Sequence, residues 1–137
     1  MTTINATKGE FVNLINGLFQ VQELKGKDFG LVVSKNITSL KEGLKHLEDL
    51  GKPSEEFMEL AMKVNEISQK NPETSQEEID KLEKENEELV KLRREQMDNV
   101  AELMKDEMSI DLKFISEDLL PNDITAKQIN NIEKIIK

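Results

Sequence analysis

The sequence holds no cysteine, no tryptophan and no tyrosine, and only five phenylalanines and three prolines among its 137 residues. Without cysteine there can be no disulfide and no thiolate metal site, and the redox compartment stays open. Aromatic residues are scarce and apolar residues make up 36%, while 34% are charged. That balance suits long solvated helices better than a stacked sheet. No consecutive apolar run exceeds three residues, as at Leu31-Val32-Val33, far below the length of a membrane span. Residues Met1 to Lys8 lack a basic stretch followed by an apolar one, so no signal peptide is expected. The expectation is a soluble intracellular protein, in which the sequons at Asn5 and Asn36 are chance matches. The length allows one domain with a modest core.

Charge is abundant and uneven. Residues 1–45 carry six lysines against four acids, a net +2, whereas residues 46–137 carry thirteen lysines and arginines against twenty-four acids, a net −11 that sets the overall −9. Such a field repels phosphate backbones, so direct nucleic-acid binding by the acidic part is disfavoured. The same charge can keep long helices dissolved, or let the chain occupy the basic groove of a nucleic-acid enzyme.

Periodicity predicts mostly helix. A β-favouring Thr2–Asn5 precedes Thr7-Lys-Gly-Glu10, the signature of a capping box. Apolar residues then recur at Phe11, Leu14, Ile15, Leu18 and Phe19, with Gly17 offering a close helix crossing. The next helix raises a question, because Asp28-Phe29-Gly30 spells the magnesium-holding triplet of protein kinases. The other kinase elements are missing. Asp28 is better placed as the cap of a helix whose stripe runs through Phe29, Val32, Val33, Ile37, Leu40, Leu44 and Leu47. Gly51 and Pro53 end it. Ser54 caps a third helix, with Phe57, Leu60, Ala61, Val64 and Ile67 facing inward. Asn71–Ser75 breaks the chain, and Ser75-Gln-Glu-Glu78 reads as a second capping box.

The stripe that follows is the longest. Ile79, Leu82, Asn86, Leu89, Gln96, Val100 and Leu103 recur at roughly 3.5 residues, in a stretch running from Gln76 to about Glu107. Four ion pairs at i, i+4 support it: Glu77–Lys81, Asp80–Lys84, Glu87–Lys91 and Arg94–Asp98. As one helix this stretch would span about 48 Å, against roughly 35–40 Å for a compact body of this size. It must protrude, bend or lie along another element. After Met108 the period becomes two at Ile110, Leu112 and Phe114, a half-buried strand over Ser109–Ile115 that needs a partner. Thr2–Asn5 is the natural one. Thr125-Ala-Lys-Gln128 is a third capping box, opening a last helix with Ile129, Ile132 and Ile136 on one face.

No catalytic constellation can be assembled. Glu42, His46 and Asp49 fall at i, i+4 and i+7, but metal sites draw ligands from several elements and there is no second histidine. Adjacent carboxylates such as Glu55/Glu56 and Glu87/Glu88 diverge on a helix. Gly26 to Gly30 lacks phosphate-loop spacing, and Arg93-Arg94 is too small to form a nucleic-acid patch. Met58, Met62, Met97, Met104 and Met108 lie near apolar stripes, as core filling or as an adaptable binding surface.

Certain residues, read with the order of elements, resemble a family of short tailed-bacteriophage proteins without assigned activity. They are Ile4…Thr7-Lys8, Lys35-Asn36 in the second helix, the Glu-rich middle helix and Ile110-Asp-Leu112. Leu120-Pro-Asn-Asp-Ile-Thr-Ala-Lys-Gln128 follows, with Ile132 and Ile135-Ile136 after it. The resemblance implies a phage setting, with a role in virion assembly or in handling a host protein.

The expected architecture is therefore mainly α: a single elongated helical domain over residues 1–137. It would be a long antiparallel helical hairpin with a small two-stranded β patch from the N-terminal and post-hairpin segments. The expected function is non-enzymatic binding or assembly through helical surfaces, as a single chain or an oligomer. The expected contact residues are Leu82, Asn86, Leu89, Gln96, Val100 and Leu103. The partner would be a protein: a second copy, a virion component or a host protein in the host cytoplasm or virion. Neither a cofactor nor a metal is expected, nor a membrane or direct nucleic acid. The alternative is an acidic inhibitor of a host nucleic-acid enzyme. An enzyme would need a deep pocket of converging carboxylates.

Overall fold

The computed structural model describes residues 1–70, 72–73 and 75–137. The described chain is mainly helical, with six α-helices and one two-stranded antiparallel sheet. The elements run β1 (Thr2–Thr7), α1 (Lys8–Val21), α2 (Lys27–Gly51), α3 (Glu55–Lys70), α4 (Ser75–Glu85), α5 (Glu87–Leu103), β2 (Glu107–Leu112) and α6 (Ala126–Asn131). They form two compact units, one of residues 1–48 and 102–137 and the other of residues 49–101.

The first unit joins the two ends of the chain. β1 pairs with β2 from Thr2↔Leu112 to Thr7↔Glu107, which is the predicted partnership with β2 starting two residues early. Inward positions Ala6, Ile110 and Leu112 are buried, while Thr3 with Asp111 and Asn5 with Ser109 hydrogen-bond on the outer face. Phe114 lies beyond the strand and is half-buried. Ile115 instead bridges Ile136 in parallel, and its N–H donates to Ile135 O at 2.8 Å.

Helix α1 shows why its start is where the sequence places it. The first N–H groups of a helix have no partner of their own. Here Lys8 donates to Asp106 O at 2.8 Å, Gly9 to Met104 O at 2.9 Å, and Glu10 to Thr7 Oγ1 at 3.1 Å. Glu10 completes the capping box by accepting from the Thr7 N–H. Phe11, Leu14, Leu18 and Val21 then enter the core, but Phe19 stays 37% exposed under the Lys41 ammonium. Gly17 meets α6 so closely that a Cβ there would lie 2.9 Å from both Cβ and O of Asn131.

Helix α2 begins at Lys27, one residue before the predicted cap. Gly26, at φ +141°, turns the chain and accepts the Gly30 N–H, so Asp28 sits within the first turn with its charge near the open donors. The triplet is a helix start, with Phe29 buried in the core. The expected stripe from Phe29 to Leu47 is buried except for the half-buried Val32, and Asn36 joins it as the one buried polar residue described. The Thr125–Gln128 capping box opens α6. A tight 3₁₀ turn over Glu133–Ile135 then rotates Ile135 inward, so Ile132 and Ile135 fill the core instead of Ile129 and Ile136.

In the second unit, α3 packs against α4, and Ser54 caps α3 by accepting the Phe57 N–H. The Ser75 capping box does not form: Ser75 Oγ donates back to Pro72 O, and Ser75 is already helical. Asn71 and Thr74, inside the expected break, lie outside the described residues. The single helix expected from Gln76 to Glu107 is divided, since α4 ends at Glu85 and α5 ends at Leu103. Asn86 separates them. Its side chain donates to Leu82 O at 2.9 Å and its N–H is shared between Leu82 O and Glu83 O. A short amide that competes with the backbone in this way loosens a helix. None of the four expected i, i+4 ion pairs closes. Among the described residues the salt bridges are Lys105–Glu102 and Lys134–Glu10, and Asp80 accepts from Gln76 instead. Exposed pairs gain too little to hold two long side chains in one geometry.

Candidate functional site

The surface of residues 49–101 is organised by what α5 does to the end of α2. A helix leaves its last carbonyls unpaired. Gln96 Nε2 donates to Leu50 O and to Lys52 O, both at 2.7 Å. Arg93 Nη1 donates to Gly51 O at 2.8 Å and to Gln96 Oε1 at 2.9 Å. Its guanidinium also lies 5.5 Å from the centre of the Phe57 ring, so it ties α3 to the same point.

This fixes where the six expected contact residues go. Val100 is buried, and Leu82, Asn86, Leu89 and Gln96 are half-buried. Leu103 packs on the core of the first unit. Asn86 spends its amide on its own helix, and Gln96 spends its amide on α2. The stripe is thus largely turned toward its own chain. The strongly exposed apolar side chains of this unit lie elsewhere: Leu50, Met58, Met62, Leu92 and Met97, between 43% and 65% exposed.

One groove gathers several of these features. Phe57, Leu89 and Leu92 line it with Ser54, Glu56, Arg93 and Gln96, around a space of about 150 Å³. Leu92 is 55% exposed at its edge. At about 100° per residue, Glu88 and Glu95 project from α5 on the side of Leu92 that faces away from the helix's buried stripe. Both are exposed. Sequence reasoning passed over this place because Leu92 falls beside the 3.5-residue stripe and Arg93 reads only as half of a small basic pair. The available signal was Leu92 itself, an aliphatic residue between i−4 and i+3 glutamates.

Charge is concentrated here as well. Residues 49–101 carry fifteen acids against eight lysines and arginines, a net −7. On α5 the acids Glu87, Glu88, Glu95 and Asp98 share one arc with Lys91, whereas Glu77, Glu78, Asp80, Glu83 and Glu85 surround α4.

The first unit holds a larger cleft of about 570 Å³ between α1 and α6, lined largely by carboxamides: Asn13, Asn16, Gln20, Asn130 and Asn131. At its edge Lys134 Nζ lies 2.8 Å from Glu10 Oε2. That hydrogen bond, with those of Thr7, holds the Glu10 carboxyl below the usual carboxylate range. No serine, threonine, cysteine or histidine lines this cleft. His46 is exposed, and no group of three or more metal-ligating side chains occurs among the described residues. No helix among them is long and apolar enough to cross a membrane. No protein-family model, curated protein or solved structure matches the chain.

Proposed function

We propose that this chain is a non-enzymatic, phage-encoded binding or assembly protein that acts through the helical surface of residues 49–101. One observation carries the reading. The first unit buries seventeen apolar side chains in a continuous core, whereas among the described residues of 49–101 only Leu60 and Val100 are buried. Helical stability in proteins comes chiefly from packing an apolar face, not from propensity. A helical unit this poor in burial, with five large apolar side chains exposed, gains from covering them with another surface. The phage setting is supported by the sequence resemblance alone.

The test combines light scattering across a concentration series with affinity capture from infected cells and from virions. Wild-type chain should assemble or retain a defined protein, and exchanging Leu92 and Met62 for glutamate should abolish it. A monomer at every concentration that retains nothing from either source overturns the reading.

The acidic arc of α5 favours a second reading, in which the chain blocks the basic groove of a host nucleic-acid enzyme. Glu87, Glu88, Glu95 and Asp98 would then face the groove. Inhibition of host polymerase or nuclease activity by the wild-type chain, lost when these four are changed to glutamine, is the expected result. No inhibition at any ratio excludes it.

A further inference from the structure

Resting on the reading of residues 49–101 as a binding unit, we propose that the Phe57–Leu89–Leu92 groove receives one apolar side chain of a basic amphipathic helix from a partner protein. The size of the space comes first. About 150 Å³ is roughly five times the share of one water in the liquid, room for a leucine or methionine side chain and little more. Its walls are apolar on both helices, Phe57 from α3 and Leu89 with Leu92 from α5. The floor is rigid, because Arg93 is held between Gly51 O, Gln96 Oε1 and the Phe57 ring. A pocket with fixed walls loses little freedom when it is filled.

Charge decides the occupant. Glu56 lines the groove, and Glu88 and Glu95 flank Leu92 one turn to either side. Against these three carboxylates stand Arg93, whose Nη1 is engaged on Gly51 and Gln96, and Lys91, which lies between Glu88 and Glu95 on the outer side of α5. The charged side chains that line the groove balance, those around Leu92 leave one negative charge in excess, and the unit that surrounds them carries a net −7. A second copy of this chain would bring the same acids against the rim, and like charges set face to face oppose docking. A helix with lysine or arginine a turn before and after its apolar anchor places opposite charges there. Such a segment meets a groove in the helix-in-groove mode, its anchors recurring at i, i+3 and i+4.

The experiment uses the full chain and three synthetic helical peptides. The first alternates leucine and lysine at helical spacing, the second replaces its leucines by serine, and the third replaces its lysines by glutamate. Calorimetry should show one leucine–lysine peptide bound per chain, weakened by salt, with the serine peptide at least about tenfold weaker. Leu92→Ser, at an exposed position, should cost about tenfold while circular dichroism is unchanged. The double change Glu88→Lys with Glu95→Lys should shift preference to the leucine–glutamate peptide. Equal binding of the serine peptide, or indifference to Leu92→Ser, overturns the groove as the site. Preference of the wild-type chain for the leucine–glutamate peptide, or self-association through Leu92, overturns the basic partner yet leaves the unit a binding surface. Failure to bind any peptide overturns the proposal alone, because the reading beneath it falls only with a monomer that captures nothing from infected cells or virions.

Discussion

Asn36 holds the backbone of Lys113 from both sides: its Nδ2 donates to Lys113 O at 2.9 Å, and its Oδ1 accepts the Lys113 N–H at 2.8 Å. The carboxamide, wholly buried on α2, stands where a neighbouring strand would be and satisfies the chain just after β2. It thereby joins two segments 77 residues apart. The neighbouring Lys35 ammonium, of like charge, holds Lys113 below the ordinary lysine range.

Replacing Asn36 by leucine keeps the bulk but removes both hydrogen bonds. The backbone N–H and C=O of Lys113 are then left without partners, at roughly 2–4 kcal/mol. Urea denaturation should show that loss in the midpoint. A variant as stable as wild type would mean that water reaches Lys113 and the buried amide is dispensable.

Gly17→Ala should destabilise, against the usual trend. In an open helix the change gains about 1 kcal/mol of propensity. Here the new methyl would lie 2.9 Å from Asn131 O and Cβ, and backbone must move. Overpacking of this kind costs about 1–3 kcal/mol, which outweighs the gain. Thermal melting reads the sign, and a raised midpoint would show that α6 yields freely.

Glu10 makes stability depend on pH in a stated direction. Its folded pKa is lowered, first by Lys134 and then by Thr7. The stabilisation is therefore present above the unfolded carboxylate value of about 4.3 and is lost as pH falls through the lower folded value. Glu10→Gln keeps a capping side chain but loses the charge. At neutral pH wild type should melt above this variant, and the difference should vanish in strong acid. A gap that widens on acidification would contradict the assignment.

Gln96→Ala should loosen the end of α2 without unfolding the chain. The carbonyls of Leu50 and Lys52 lose a donor, but both residues are exposed and water can replace it. The cost should be about 0.5–1.5 kcal/mol. Hydrogen exchange should quicken in the last turn of α2 and in the middle of α5. Protection unchanged at both places would show that the carbonyls were never dependent on Gln96.

The local signals were legible because their physics is local. Thr7 with Glu10 and Thr125 with Gln128 close capping boxes across three residues, and Ser54 caps α3, as short-range hydrogen bonding requires. The pairing of β1 with β2 was legible for a different reason: each strand edge needed a partner, and few candidates existed. Gly17 was readable as a close crossing, since little else favours glycine inside an amphipathic stripe. Other points were not readable. Asn86 scores as one more position of a long stripe, and only in three dimensions does its amide turn back to Leu82. Gln96 reads as a seam residue, yet its partners lie 44 and 46 residues away. The groove beside Leu92 depends on Phe57 arriving from another helix.

By itself the sequence determined the helical character, the caps of α1, α3 and α6, the β ribbon and the absence of thiol chemistry, because periodicity and hydrogen-bonding needs act over a few residues. Tertiary structure decided which apolar residues are covered. The stripe of α5 turns toward its own chain while Leu92, beside it, stays open, since burial depends on the direction from which distant helices approach.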